Sequence, residues 1–211
     1  MFKVHKNKTG LINELIGKDD VVLDVGFWGQ GVSIDDPDWV HNVLLDQAKE
    51  VYGIDLDFDS SRLKNPGNYK RASAENFEFD IKFDVIFAGD IIEHLSNPGL
   101  FLQSCAKNLK DDGRLIITTP NCFGFFNLTE KISKSEPTVN KDHTCYFNQK
   151  TLKQLLEKNN WEVSDVNFLL FLGSKYKQSI KKMILNIIYR FISRLTSKFS
   201  VGLVVIAKKN G

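Results

Sequence analysis

The chain predicts an α/β protein built on a mainly parallel sheet, and three observations carry that reading. Short, uniformly apolar, β-branched runs alternate with stretches of helical periodicity, the pattern of strands covered on both faces. The first run, Val21-Val22-Leu23-Asp24-Val25, stops abruptly in a turn holding Gly26, Gly29 and Gly31. Glycines there let a ligand lie directly against the main chain, although a tight strand-to-helix turn uses the same residues. Polar residues also recur at the ends of later runs: Asp55, Ser73-Ala74-Glu75, Asp90 and Pro120-Asn121. Ligands of open α/β sheets bind outside those ends, at the switch in strand order.

The elements follow in order. Thr9 to Gly17 reads as a short amphipathic helix stopped by Gly17, within an N-terminal segment 1–20. After the glycine turn, Asp36-Pro37 predicts a helix start. The helix then runs to about Lys49, with Trp39, Val43, Leu44 and Ala48 on one side. Strands are expected at Val51–Ile54, Tyr69–Ala72, Phe83–Ala88 and Arg114–Thr118, with a helix from Pro98 to Leu109 and a turn at Lys110–Gly113. Cys122 to Lys141 reads as irregular and partly helical, within a substrate-side insert spanning 122–148. A helix at Thr151–Asn159 and strands at Glu162–Phe171 and Val201–Lys208 complete the set, the strands separated by a basic amphipathic helix over 174–198.

With 211 residues the chain is read as one domain, 1–211, large enough for a full core. Its first ten residues are polar and lysine-rich, unlike a signal peptide, and no apolar run is long enough to span a bilayer. Cys105, Cys122 and Cys145 are odd in number and show no C-x-x-C pair. They predict a reducing compartment, the cytoplasm, and neither a disulfide framework nor a zinc knuckle. The net charge of +2 hides an asymmetry: residues 171–211 carry nine Lys/Arg and no Asp/Glu, above an acidic remainder.

The glycine spacing bears on the cofactor. A dinucleotide fingerprint is G-x-G-x-x-G opening straight into a helix whose N-terminus holds the pyrophosphate. Here the order is G-x-x-G-x-G, and Asp35, Asp36 and Asp38 follow, negative charge where a pyrophosphate would sit. S-adenosylmethionine carries a sulfonium and an amino group and no phosphate, so it suits the stretch better than NAD. Asp55, at the end of an apolar run, suits a ribose diol, since a carboxylate accepts from both hydroxyls.

Val-Leu-Asp24-Val-Gly26, Gly-Ile-Asp55, Ala74-Glu75, Gly89-Asp90-Ile-Ile-Glu93-His94-Leu and Gly113-Arg-Leu-Ile-Ile-Thr-Thr-Pro120-Asn121 together resemble the class I S-adenosylmethionine-dependent methyltransferases, most closely the branch of ubiquinone- and menaquinone-pathway enzymes. The resemblance covers roughly Val21 to Trp161. It implies a Rossmann-like, seven-stranded, mainly parallel sheet with helices on both faces and an antiparallel last strand. It implies that Asp24 and Gly26, with Phe27, Gly29 and Gly31 of the loop, hold the methionine end of S-adenosylmethionine. Asp55 and its neighbour Leu56 would take the ribose, Ser73, Ala74 and Glu75 would flank the adenine, and Asp90 would lie beneath the sulfonium. Two departures stand out: Phe27-Trp28 adds a residue to the family's G-x-G-x-G, and Ser73 replaces a common aspartate. Two other classes of function stay open, a nicotinamide-dependent oxidoreductase and a catalytically silent cofactor-binding or scaffold protein.

Methyl transfer to a hydroxyl needs alignment and a base. Glu93 and His94 after the fourth run, and His143 beyond the insert, are the candidate catalytic residues. Asp90, Glu93, His94 and His143 are alternatively a ligand set for a divalent cation, resembling metal-dependent RNA 2′-O-methyltransferases of the small-RNA 3′-end type; the bland reading is a shaped helix start and a capping histidine. The expected acceptor is small, or linked to a lipid or glycan. Along 179–197, apolar residues from Ile180 to Leu195 recur at helical spacing with Lys181, Lys182, Arg190 and Arg194 largely off the stripe. This stripe would cover the sheet, join a second subunit, or rest on the inner membrane surface. No nucleic-acid recognition motif appears in it.

Overall fold

The computed structural model describes residues 3–28, 34–36, 39–134, 136–170 and 180–210, the side chains of 180–182 excepted. Gly29, Gly31, Ser33, Pro37 and Asp38 lie outside the described residues, as does 171–179, the start of the expected basic helix.

The strands are β1 (Val4–His5), β2 (Val21–Val25), β3 (Glu50–Asp55), β4 (Tyr69–Arg71), β5 (Phe83–Gly89), β6 (Leu109–Pro120), β7 (Trp161–Leu169) and β8 (Gly202–Lys209). The helices are α1 (Lys8–Leu15), α2 (Val40–Gln47), α3 (Pro98–Asn108), α4 (Phe125–Ser133), α5 (Gln149–Lys158) and α6 (Ile180–Leu195). All strands join one sheet in the order β1-β7-β8-β6-β5-β2-β3-β4. β8 runs antiparallel to β6 and β7, and every other pairing is parallel. The expected seven strands are present, and β1 is an eighth. It adds only Val4 and His5 to the edge of β7, too short a segment to show a period of two.

β2 lies between β3, which follows it in sequence, and β5, which begins the second half of the sheet. The strand order reverses there, so the crevice outside the carboxyl ends of β2 and β5 is the switch point. β5 reads as a continuous apolar run because both its faces are covered. Val85 and Phe87 join Leu11, Ile12 and Leu44 of α1 and α2 on one side. Phe83 and Ile86 join Phe101 of α3 and Leu152 of α5 on the other.

Two boundaries differ from the sequence reading for clear reasons. α2 begins at Val40, not Asp36, and Trp39 at its N-cap makes no side-chain capping bond. The Trp39 amide instead donates to the Asp36 carbonyl at 2.9 Å, closing a separate turn, while its indole donates to the Phe27 carbonyl at 3.0 Å. Lys110–Gly113 is part of β6 rather than a turn before it. Leu109 pairs with Phe83 and Arg114 with Val85, so these residues bulge beside Asp84, whose Oδ1 accepts from Lys110 Nζ at 2.7 Å.

Candidate active site

Gly26 turns the chain off β2 with φ +72°, and its amide donates to the Ile54 carbonyl at 2.8 Å. A Cβ there would come within 2.8 Å of Ile91 Cδ1, so only glycine fits against the end of β5. The next residue, Phe27, points inward. It is 1% exposed and packs with Trp39, Phe58 and Tyr69. The side chain of Phe27 is therefore part of the core beneath the loop: an aromatic ring at this position has a ready apolar nest against Gly53, which has no Cβ to exclude it.

Asp24, expected at the methionine end of the cofactor, is buried beneath the loop. Its carboxylate is buried on the face of α2, where Oδ2 accepts from His41 Nδ1 at 2.9 Å, and His41 Nε2 lies 2.8 Å from the Tyr69 hydroxyl. Burial and the Asp24 charge push the Tyr69 phenol up to about 12. Asp24 Oδ1 has no hydrogen-bond partner. This buried chain ties β2, α2 and β4 together under the switch point.

Asp55 closes β3 at the rim. Its Oδ2 accepts the Trp28 amide at 2.8 Å, fixing the start of the glycine loop. Its Oδ1 lies 3.5 Å from the Asp57 amide, and the Leu56 amide also donates to the carboxylate. Burial raises its pKa, against the opposing pull of these backbone N–H groups. Leu56 beside it is 76% exposed. A carboxylate oxygen with spare acceptor capacity beside an uncovered aliphatic side chain fits a ribose and its base. Ala74 packs on the core, the Ser73 hydroxyl accepts the Glu75 amide at 3.1 Å, and Glu75 accepts the Asn97 amide at 2.7 Å. Glu75 thus serves the start of α3, while Ser73 stays exposed at the rim. Asp35, expected to repel a phosphate, turns to Arg62 at 3.0 Å.

Asp90 ends β5 in the left-handed region, with φ +54°. Lys8 Nζ of α1 donates to its Oδ2 at 2.7 Å, and the Thr118 hydroxyl to its Oδ1 at 2.8 Å. Among the described residues, Asp90 of the expected four-residue set is not grouped with the side chains close enough to share a metal. That group is Glu93, His94 and His143, each offering a ligand atom within 4.8 Å of the others.

These three come together through backbone bonds. The Glu93 carbonyl accepts the Thr144 amide at 2.8 Å and the Cys145 amide at 3.1 Å. The Thr144 hydroxyl donates to the Leu95 carbonyl at 2.7 Å. The strap so formed sets the His143 ring 4.6 Å from His94, nearly perpendicular to it. Glu93 is 2% exposed; Oε2 accepts from the Thr119 hydroxyl at 2.9 Å, and Oε1 has no partner. It borders a cavity of about 160 Å³ that is also lined by His143, Cys145, Tyr146 and Asn127. Burial, followed by the nearby Asp90 charge, pushes Glu93 up to about 7. Burial and the charge of His94 lower His143.

Sequence reasoning missed Lys8, Thr118 and Thr119. The two threonines end a strand beside the recognised Pro120-Asn121, a signal that could have found them; Lys8 is brought in only by packing of α1. Asn121 was expected at the ligand and is instead a clamp, its amide donating to the carbonyls of Lys198 and Ser200 at 3.2 and 2.9 Å.

Fold and site together define a Rossmann-like α/β protein with a carboxylate at the rim of β3 and a carboxyl–histidine cavity beyond β5. The chain belongs to the methyltransferase-domain family, which its residues 14–166 match, and within it to the class I S-adenosylmethionine-dependent methyltransferases. A ubiquinone biosynthesis O-methyltransferase of Rickettsia akari is 28% identical over 139 residues, 54% of this chain and 55% of that one. The chain thus spans about half the length of the curated relatives it matches. Among solved structures, a SAM-dependent methyltransferase from Archaeoglobus fulgidus aligns with TM-score 0.58 at 19% identity, covering 90% of this chain and 86% of that one. The Burkholderia thailandensis 1,6-didemethyltoxoflavin-N1-methyltransferase, solved with 1,6-didemethyltoxoflavin and S-adenosylhomocysteine, aligns with TM-score 0.60 at 16% identity over 97% of this chain and 77% of that one. These likenesses support the fold. The family match sets aside the nicotinamide reading.

Proposed function

We propose that the protein moves the methyl group of S-adenosylmethionine to an oxygen of a small, or lipid- or glycan-linked, acceptor seated beside Glu93. One observation carries this reading: a buried carboxyl with an unpartnered oxygen borders the cavity, at the end of the strand that flanks the switch point. With a pKa of about 7, Glu93 takes a proton from the acceptor hydroxyl as readily as pH 7 allows. The new O–CH₃ bond forms as the S–CH₃ bond breaks, the sulfonium becomes the neutral thioether of S-adenosylhomocysteine, and the proton goes to Glu93 Oε1. His143, held neutral at pH 7 by its lowered pKa, is a second acceptor of that proton. The name of the R. akari relative supports oxygen as the atom methylated. Three free cysteines support a reducing, cytoplasmic setting.

The test is transfer of labelled methyl to catechol, simple phenols and hydroxy sugars. We expect a rate that rises with pH through about 7, as Glu93 becomes a carboxylate. Glu93→Gln should lower it about 100-fold or more, and EDTA should leave it unchanged. Equal rates for wild type and Glu93→Gln would overturn the reading. So would loss of activity in EDTA restored by manganese, which would give Glu93, His94 and His143 to a cation instead.

A further inference from the structure

The described part of α6 presents its apolar side chains outward. Ile184, Ile187, Ile188, Phe191 and Leu195 share one face by their spacing, and all are exposed, Ile187 at 61%, Phe191 at 63% and Leu195 at 72%. The helix is held to the body from another face by Tyr189. That side chain is buried, its hydroxyl donates to the Leu170 carbonyl at 2.9 Å, and its ring stacks on Phe125 of α4. A stripe that would ordinarily cover a sheet therefore stays exposed among the described residues. Arg190, Arg194 and Lys198 are exposed on or just beyond the same helix, within a segment, 171–211, that holds nine Lys/Arg and no Asp/Glu.

We infer that α6 docks the protein on an anionic lipid surface, lying in the interface with its apolar face among the acyl chains and its cations at the headgroups. Charge decides between this occupant and a second copy. In a two-fold pair through α6 each patch meets itself, which sets positive residues against positive residues. An anionic bilayer instead supplies an apolar phase to the stripe and negative headgroups to the cations that flank it. No helix among the described residues is long and apolar enough to cross a membrane, so the contact is peripheral. α4 contributes Asn127 to the cavity beside Glu93 and stacks on α6 through Phe125, which sets the docked face next to the acceptor side of the molecule.

Co-sedimentation of the full chain with vesicles tests this without cofactor or acceptor, so its failure is distinct from failure of the methyl-transfer reading. We expect pelleting with vesicles of equal parts phosphatidylcholine and phosphatidylglycerol, and little with phosphatidylcholine alone. Added salt should weaken it. Affinity should fall about tenfold or more in Ile187→Ser/Phe191→Ser and measurably in Arg190→Gln/Arg194→Gln. Far-UV circular dichroism matched to wild type shows that the variants fold, these side chains being exposed. Wild type that stays in the supernatant with anionic vesicles, or variants that pellet as well as wild type, would overturn the inference. So would a dimer in solution that dissociates in Ile187→Ser/Phe191→Ser while vesicles are ignored.

Discussion

Glu93 concentrates the conflict that a buried acid creates. Its carboxyl accepts from Thr119 and is drawn on by its own backbone N–H, in a buried site that already holds the Asp90 charge. Because its folded pKa, about 7, lies above the ordinary 4.5, the fold favours the protonated form. The associated stability is fully present below 4.5 and is lost as pH rises through about 7. Removing the titration should therefore help the protein more at high pH. The gain in unfolding free energy of Glu93→Gln over wild type should be larger at pH 8 than at pH 5 by about 2.5 kcal/mol, read from urea melts at the two values. An unchanged difference would mean that Glu93 is not held as described. The Glu93-His94 pair was legible in the sequence, since acids and bases at a strand end suggest a site whatever the fold. Its pKa was not, because the depth of burial depends on Thr119 and on a strap from residues fifty positions away. The burial of the Asp24 and Phe27 side chains was not legible either, since it depends on His41 and on the missing Cβ of Gly53.

At the scale of elements, strand interiors were the most legible, because a strand buried on both faces leaves no choice but an apolar run. Their ends were less so. α5 starts at Gln149, two residues before the expected Thr151, since Asn148 makes a capping box: its Oδ1 accepts the amides of Lys150 and Thr151 at 2.9 and 3.0 Å, and Thr151 Oγ1 accepts the Asn148 amide at 3.1 Å. Asn148→Ala should lower stability by about 1 kcal/mol, measured by urea unfolding at neutral pH; a change near zero would show that the cap is not what holds this end. α6 was legible as an amphipathic helix, but not which way it faced. Periodicity gives the stripe, whereas the buried Tyr189 chooses the face that meets the body.

For the whole molecule, the sheet order explains why residues far apart in sequence meet. The reversal at β2 brings Asp55, on one side, and Asp90 and Glu93, on the other, to the same end of the sheet. That convergence was foreseeable once the runs were recognised as parallel strands. Lys8 was not, because α1 reaches Asp90 only by packing under the sheet, and neither was the pairing of Asp35 with Arg62, which lies 27 positions away. The central claim is that this end of the sheet holds the sulfonium cofactor, with Asp55 on its ribose. Calorimetric titration of the full chain with S-adenosylhomocysteine and, separately, with NAD tests it most directly. We expect saturable binding of S-adenosylhomocysteine at one site, weakened about tenfold or more by Asp55→Ala, and no heat of binding from NAD; binding of NAD, or S-adenosylhomocysteine affinity unmoved by Asp55→Ala, would overturn this placement.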